Sequence, residues 1–575
     1  MKYLIPLLLI SFNGLVSAQV QQVAIDRVEQ MPDSPTPYFM RDWQDVTLGY
    51  DAFVYDMAKN GDHLPLIFIN DAGINYPENK SFGLDTYVGT FSTGGGEAIN
   101  VLPSLVGATL GGIDKSNQNS MNWVLMGQDF FNKKPEENVY LNNYSGRSGT
   151  DWWYDIMPNI YYYQLNDLYP GVGDSDYQFT GIAEQWLKAV VNMGGSGTPW
   201  AIPFMDYRAW SLSTMTPLTE GVKEPEAAGG IAWLLYNAYI KTGDANYLTG
   251  AEWSMEFLNS LTANPSYELQ LPYGIYAAAR MNAQIGTSYD IEKMLNWTFD
   301  RGDLRGWGAI VGNWNGVEAS GLIGEANDQG NDYAFLMNGF QHAGALVPMV
   351  RYDKRFARTI GKWMLNLANA SRLFYPGFLP DAQQDASDWS SVYDPDAYIG
   401  YEGLREKVDG NPGPYSTGDA LAAGWAETNL ALYGSSSVGI FGGIIKTTNI
   451  EKILQLDMLK TDFYREQAYP TYLYYNPYAG GQEVNIDAGS SPVDLYDALS
   501  ETFLAQEVSG NTSFSIQGDG VVELVLVPAV VTMSYDLNKM LINDVIVDYM
   551  PTAQAFNYPP RIKSLAASDD VIEKG

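Results

Sequence analysis

EANDQGNDYAFLMNGFQHAGALVPMVRYDKRFARTIGKWMLNLANASRLFY, residues 325–375, holds two helical patterns on either side of a short polar turn, Arg351-Tyr352-Asp353-Lys354-Arg355. The first pattern, 333–350, is almost wholly apolar or small, which predicts a helix buried on most sides, with Pro348 kinking or ending its last turn. The second, 356–371, spaces Phe356, Ile360, Trp363, Leu367 and Ala370 three or four apart, an amphipathic face. A buried inner helix followed by an amphipathic outer one is the repeating unit of an (α/α) toroid.

The same alternation recurs on both sides of this stretch. Helices are expected over 42–58 and 97–110, with 117–131 as a partner. Residues 150–167 pair with 177–193, residues 226–241 with 247–261 and residues 272–285 with 290–299. A last hairpin is read over 417–433 and 449–464. The expectation is a mainly α chain, an (α/α) toroid of six or seven helical hairpins. The hairpins share no strict sequence period, so the repetition is architectural. From about 469 the pattern changes to short alternating segments, 512–516 and 521–527, separated by Gly-Asn and Gly-Asp turns, which read as strands. The domain reading is a leader at 1–18, a toroid at 19–466, and a smaller C-terminal β-sheet or sandwich region with a terminal tail at 467–575. Two long excursions, 300–331 and 376–416, interrupt the helices, and loops of that length in a compact domain usually carry function.

Composition narrows the chemistry. The chain opens MKYLIPLLLISFNGLVSAQ, one lysine and an apolar run before Val16-Ser17-Ala18, the pattern of a signal peptide cut after Ala18. The expected location is secreted or periplasmic. The absence of cysteine removes disulfides, thiol catalysis and thiolate metal sites, and only two histidines argue against a His-rich zinc centre. A formal charge of −34 argues against nucleic acid and anionic membranes as partners. No later apolar run approaches the ~20 residues that span a bilayer. Forty tyrosines and fifteen tryptophans offer flat rings with polar edges, suited to a sugar-binding cleft and equally to aromatic packing between helices. No cofactor is expected. The acidic stretch 381–396 is a candidate for a structural Ca2+ ion, although it lacks EF-hand spacing.

By analogy of fold, toroids open their cleft at the N-terminal ends of the inner helices. That rule sends the charged turn 351–355 to the far side and gathers Arg147, Asp151, Trp152, Trp153, Asp155, Glu224, Glu226, Tyr273, Asn313, Trp314, Glu325, Asp328, Asp332, Tyr333 and Asp419 on the cleft side. Two chemistries compete for a polysaccharide or oligosaccharide substrate. Glycoside hydrolysis needs two carboxylates about one glycosidic bond, and Asp151 with Asp328 or Glu325 are candidate pairs. β-Elimination from a uronic-acid polymer needs a group to neutralise the substrate carboxylate, a base and an acid. Asn338 and His342, at i and i+4, share one helix face for this. Tyr333 lies nine residues before His342, about 13 Å of helical rise, so another tyrosine such as Tyr273 or Tyr401 is an alternative acid. A non-catalytic glycan-binding protein would keep the aromatic platform, with Arg147, Trp152, Trp153, Asn313 and Trp314 as contacts, without needing either set.

An exported Trp/Tyr-rich chain with α/α hairpins, the Asn338/His342 pair and a C-terminal β region resembles the toroid-plus-β polysaccharide lyases, ulvan-lyase-like enzymes among them. The resemblance implies a lyase that cleaves a uronic-acid-containing polysaccharide by β-elimination, with His342, Asn338 and Tyr333 as its catalytic groups. Those lyases often place a tyrosine after the histidine in a Gly-rich segment. Here Tyr352 follows His342 but falls in the far-side turn. An anionic substrate would also require Arg147, Arg208, Arg280, Arg301 or Arg305 to gather in the cleft.

Overall fold

A computed structural model describes residues 20–91, 96–529 and 532–549. The leader read at 1–18 lies outside them, as does most of the terminal tail. The helices that matter here are α1 (Trp43–Val54), α2 (Ala98–Leu110), α3 (Trp152–Leu168), α4 (Ser175–Asn192), α5 (Ala227–Thr242) and α6 (Ala245–Ser260). They continue with α7 (Gln270–Ile285), α8 (Ile291–Phe299), α9 (Leu336–Met349), α10 (Ala357–Ala370) and α11 (Gly439–Ile444). Contacts run from α2 to α3, α5, α7, α9 and α11, and from α11 back to α2, so these six helices close a ring. Outside it, α1 lies on α11 and α2, α4 and α6 on α5, α8 on α7, and α10 on α9.

The local sequence explains the ring's polarity. Inner helices are buried on most sides, and every residue of α9 is buried. Asp42, Asp151, Asp244 and Asp290 cap α1, α3, α6 and α8 by accepting backbone N–H groups in the first turn. Gly243 and Gly286 end α5 and α7 in the left-handed conformation, where a side chain would be strained.

Three differences from the sequence expectations have physical causes. Residues 333–335 do not begin the inner helix. Tyr333–Phe335 is a strand, β3 of an antiparallel sheet ordered β5-β4-β3-β2-β1. The others are β1 (Trp307–Ala309), β2 (Ile323–Glu325), β4 (Gly403–Val408) and β5 (Asn411–Thr417). β3 thus joins the strands of the two long excursions, and cross-strand hydrogen bonds override the helical pattern. Glu325 sits opposite Tyr333 and Tyr333 opposite Arg405. The outer helix α10 is not half-exposed either. The N-terminal lead-in and the C-terminal sheet cover it, and Lys362 is buried with its ammonium 2.7 Å from Asp33.

The last hairpin is the third difference. Residues 417–433 and 449–464 do not form a helical pair. Only the turns Ala420–Ala423 and Leu432–Ser435 are helical in the first segment, and the second contains a strand. The sixth place in the ring falls to α11, six residues long and rich in glycine, a poor helix former. Gly439 lies directly on Gly107 of α2, and any β-carbon there would meet that backbone. The close approach explains the glycines.

Strands therefore begin before 467. β6 (Ile445–Thr447), β7 (Leu454–Asp457), β8 (Thr471–Tyr475), β10 (Val493–Asp497), β11 (Thr502–Val508) and β13 (Val521–Pro528) form one antiparallel sheet, ordered β6-β7-β8-β13-β10-β11. The two-stranded sheet of β9 (Gln482–Asp487) and β12 (Asn511–Ile516) packs on one face, against Val522, Leu524 and Leu526. A three-stranded sheet, β14 (Met533–Asp536), β15 (Lys539–Ile542) and β16 (Val545–Tyr549), packs on the other, against Val525 and Val527. Being covered on both faces is why β13 reads VVELVLV rather than alternating with polar residues.

The charged turn of 351–355 docks this β region onto the ring. Arg351 pairs with Asp462, and the Lys354 ammonium sits 2.8 Å from Asp548 and 2.9 Å from the Ala498 carbonyl, all of it buried. The turn lies away from the cleft described next.

Candidate active site

At the end of the ring where α2, α3, α7 and α9 begin, a cleft with a cavity of about 250 Å³ opens. Among the described residues, five carboxylates line it, Glu97, Asp151, Glu268, Glu402 and Asp419, together with a single arginine, Arg305. Flat rings fill the spaces between, chiefly Trp153, Tyr154, Trp307, Phe335, Trp425 and Tyr433. The position follows from the fold. Glu97 and Asp151 immediately precede α2 and α3, Glu268 precedes α7, and Asn338 lies in the first turn of α9. The β1–β5 sheet supplies the remaining wall: Trp307 from β1, Phe335 from β3, Glu402 before β4 and Asp419 after β5.

Each acid is held differently. The Glu97 carboxylate accepts from the Thr86 hydroxyl at 2.5 Å and the Asn142 amide at 2.6 Å, both neutral donors. Asp151 caps α3 and pairs with Arg208, which also meets the buried Glu224. Arg305 lies between Glu268 at 2.5 Å and Glu325 at 2.8 Å, its guanidinium over the Trp307 ring. Burial nonetheless pushes the Glu268 carboxyl up to about 7, with Asp151 adding to the rise and Arg305 opposing it. The segment carrying Glu268 is braced from behind by buried Glu226, which accepts the backbone N–H groups of Tyr267, Glu268 and Gln270.

Glu402 is the most enclosed of the five at 6 % exposed. One oxygen accepts from two phenols, Tyr87 at 2.9 Å and Tyr433 at 2.7 Å, and the other from the Asp419 amide N–H at 2.6 Å. Burial raises its pKa, while these donated bonds favour the charged form and work against that rise. Asp419 in turn pairs with Arg405 at 2.6 Å, whose guanidinium lies 3.4 Å from the centre of the Tyr333 ring. Tyr154 lines the same cleft, where Glu97, Asp151, Glu268 and Glu402 act on its hydroxyl. Its own pKa is raised, first by burial and then by those charges.

Of the residues expected from sequence, Asp151, Trp153, Asn338 and Asp419 reach this cleft. His342 does not line it. It lies one turn deeper in α9, 1 % exposed, with Nδ1 donating to the Asn338 carbonyl at 2.7 Å. Burial lowers its pKa to about 3, so the imidazole is neutral. Tyr333 is buried beneath Arg405. Trp152 is fully buried, its indole N–H given to the Tyr207 carbonyl, and Trp314 is buried as well. Arg147 and Asn313 are exposed outside the cleft. Glu325 is tied to Arg305, and Asp328, held by Arg27 at 2.7 Å, does not line the cleft. Among the described residues no group of three His, Asp or Glu side chains is arranged for a metal ion, the stretch 381–396 included. No helix among them is long and apolar enough to cross a membrane.

Glu97, Glu268, Glu402, Tyr154 and Trp425 were not among the expected site residues. The rule that residues preceding inner helices face the cleft, applied evenly, finds Glu97 and Glu268. No local signal marks Glu402, which a strand pairing delivers.

No family model and no curated protein matches this chain. Among solved structures it is similar to a GH127 beta-L-arabinofuranosidase from Geobacillus stearothermophilus T6, at 11% identity over 92% of this chain and 84% of that one, with a TM-score of 0.28. It is also similar to the GH127 beta-arabinofuranosidase BT3674, at 11% identity over 91% and 84% of the two chains, with a TM-score of 0.32. Likeness at these scores carries no functional inference, so the functional reading stands on the geometry of the cleft alone.

Proposed function

We propose that this chain is a glycoside hydrolase working by a carboxylate pair, with Glu268 as proton donor and Glu402 as its ionised counterpart. The observation that carries the reading is the meeting of these two differently held acids in one aromatic-walled cleft. Hydrolysis of a glycosidic bond needs one carboxyl protonated and one not. Glu268, raised to about 7 by burial, keeps a proton available near neutrality. Glu402, with three donors on its two oxygens, is steered toward the carboxylate and retains lone pairs for the anomeric carbon or for a water that attacks it. The rings of Trp153, Tyr154 and Trp425 would stack on the C–H faces of a sugar.

The elimination reading draws less support. Its base, His342, has no face on the cleft, and its acid, Tyr333, lies behind Arg405. A purely glycan-binding role would use the rings but gives no account of five carboxylates gathered there.

The proton donor sets the pH dependence. Protonated Glu268 is lost as pH rises through its pKa, so kcat/KM should fall tenfold per unit above a limb near 7. In Glu268→Gln the residual activity should lack that limb. A limb that persists in Glu268→Gln removes Glu268 as the acid.

A further inference from the structure

The pairing of charges inside the cleft limits which sugars it accepts. Arg305, the one cation among the lining residues, is already shared between Glu268 and Glu325. Arg405, one layer behind, is taken by Asp419 and stacked on Tyr333. Arg208 is taken by Asp151 and Glu224. Among the described residues every guanidinium near the site thus faces at least one carboxylate, and Arg305 keeps Glu325 when Glu268 holds its proton. Glu97 and Glu402 meet only neutral donors. A negative group entering here would be stripped of water without finding a free cation, beside carboxylates that repel it.

We infer that the cleft takes a sugar ring bearing no anionic group, which excludes uronates and sulfated sugars from this site. The inference rests on the hydrolase reading only for where substrate binds. The other features agree with it. The rings offer stacking that needs no charge. The side-chain amide nitrogen of Asn338, buried at the cleft floor without a hydrogen-bond partner among the described residues, is a free donor for a sugar hydroxyl. The cavity of about 250 Å³ falls just below the roughly 300 Å³ at which ligand sites usually start. That volume holds one sugar ring.

The test is binding of free monosaccharides to the wild-type protein, followed by calorimetry or by NMR saturation transfer. Free sugars have no glycosidic bond to cleave, so binding is read apart from catalysis. Glucose is compared with glucuronate and galactose with galacturonate, beside xylose and arabinose. At least one neutral sugar should bind, with its uronate weaker by about tenfold or more, the effect of one like charge at a few ångström in a partly hydrated site. The gap should narrow at high salt and narrow again in Asp419→Asn, which releases Arg405. A uronate bound as tightly as its neutral partner, no neutral sugar bound at all, or a gap indifferent to both salt and Asp419→Asn overturns the inference. A protein that selects neutral sugars but hydrolyses nothing would defeat the hydrolase reading and leave this one standing. A hydrolase that releases uronates would do the reverse.

Discussion

Replacing Glu402 by Gln should lower kcat by about 10²–10⁴-fold while leaving the protein folded. Glutamine keeps the shape of the side chain and both polar positions. Its carbonyl can face the Asp419 N–H, and its amide can donate to the Tyr87 and Tyr433 hydroxyls, which rotate to accept. What is lost is the negative charge, and with it the ability to attack or to activate water. Removing one of its phenol donors, as in Tyr433→Phe, should give a smaller loss, because Tyr87 still donates to the same oxygen. The check is kcat and KM on the best substrate, with circular dichroism to establish folding. A Glu402→Gln enzyme within a few-fold of wild type would remove Glu402 from the mechanism.

The second large effect concerns stability and lies at the opposite end of the ring. Asp462 is fully buried and gathers Arg351 and the hydroxyls of Tyr276 and Tyr352, tying α7 and the turn after α9 to the segment that leads into the β region. Arg280 lies close by, donating to the Phe463 and Tyr464 carbonyls. Asp462→Ala leaves Arg351 buried without its counter-ion, a change that costs about 3–5 kcal/mol. With roughly 2 cal/mol/K of unfolding entropy per residue, that is a drop of about 3–4 °C in thermal midpoint if the chain unfolds as one unit. Asp462→Asn should lose less, since the amide oxygen still accepts from the phenols. Because the cleft is remote, activity per folded molecule should be unchanged. If calorimetry finds Asp462→Ala as stable as wild type, this cluster does not join the two regions.

What could be read from the sequence was local. The apolar run through α9 and the pairs α5–α6 and α7–α8 are set by neighbouring residues, by Asp caps at N-termini and by glycines at C-termini, and these showed. So did the direction of the charged turn at Arg351, because it follows from which end of an inner helix it sits on. The misreadings were non-local. Tyr333–Phe335 has a helical pattern on one side, yet it pairs with residues 403–405 some seventy positions on. Leu454–Asp457 is too short for its period to distinguish strand from helix, and its partner Ile445–Thr447 decided the matter.

The site divides the same way. Asp151 and Trp153 begin an inner helix and were visible by that rule. Glu402 reaches the cleft because β3 and β4 pair, and nothing in its own neighbourhood says so. His342 drew notice by scarcity, which carries no information about exposure. Its helix is buried on every side, and Asn338 one turn above takes the place facing the cleft.

Product analysis tests the central claim most directly. Purified protein is incubated with neutral glycans and with uronic-acid polymers such as ulvan, alginate and glucuronan, and new reducing ends are followed beside the ultraviolet absorbance of unsaturated uronate. The carboxylate-pair account predicts reducing ends without that absorbance, abolished together in Glu268→Gln and Glu402→Gln. Unsaturated products that survive in both variants and vanish in His342→Ala would contradict it.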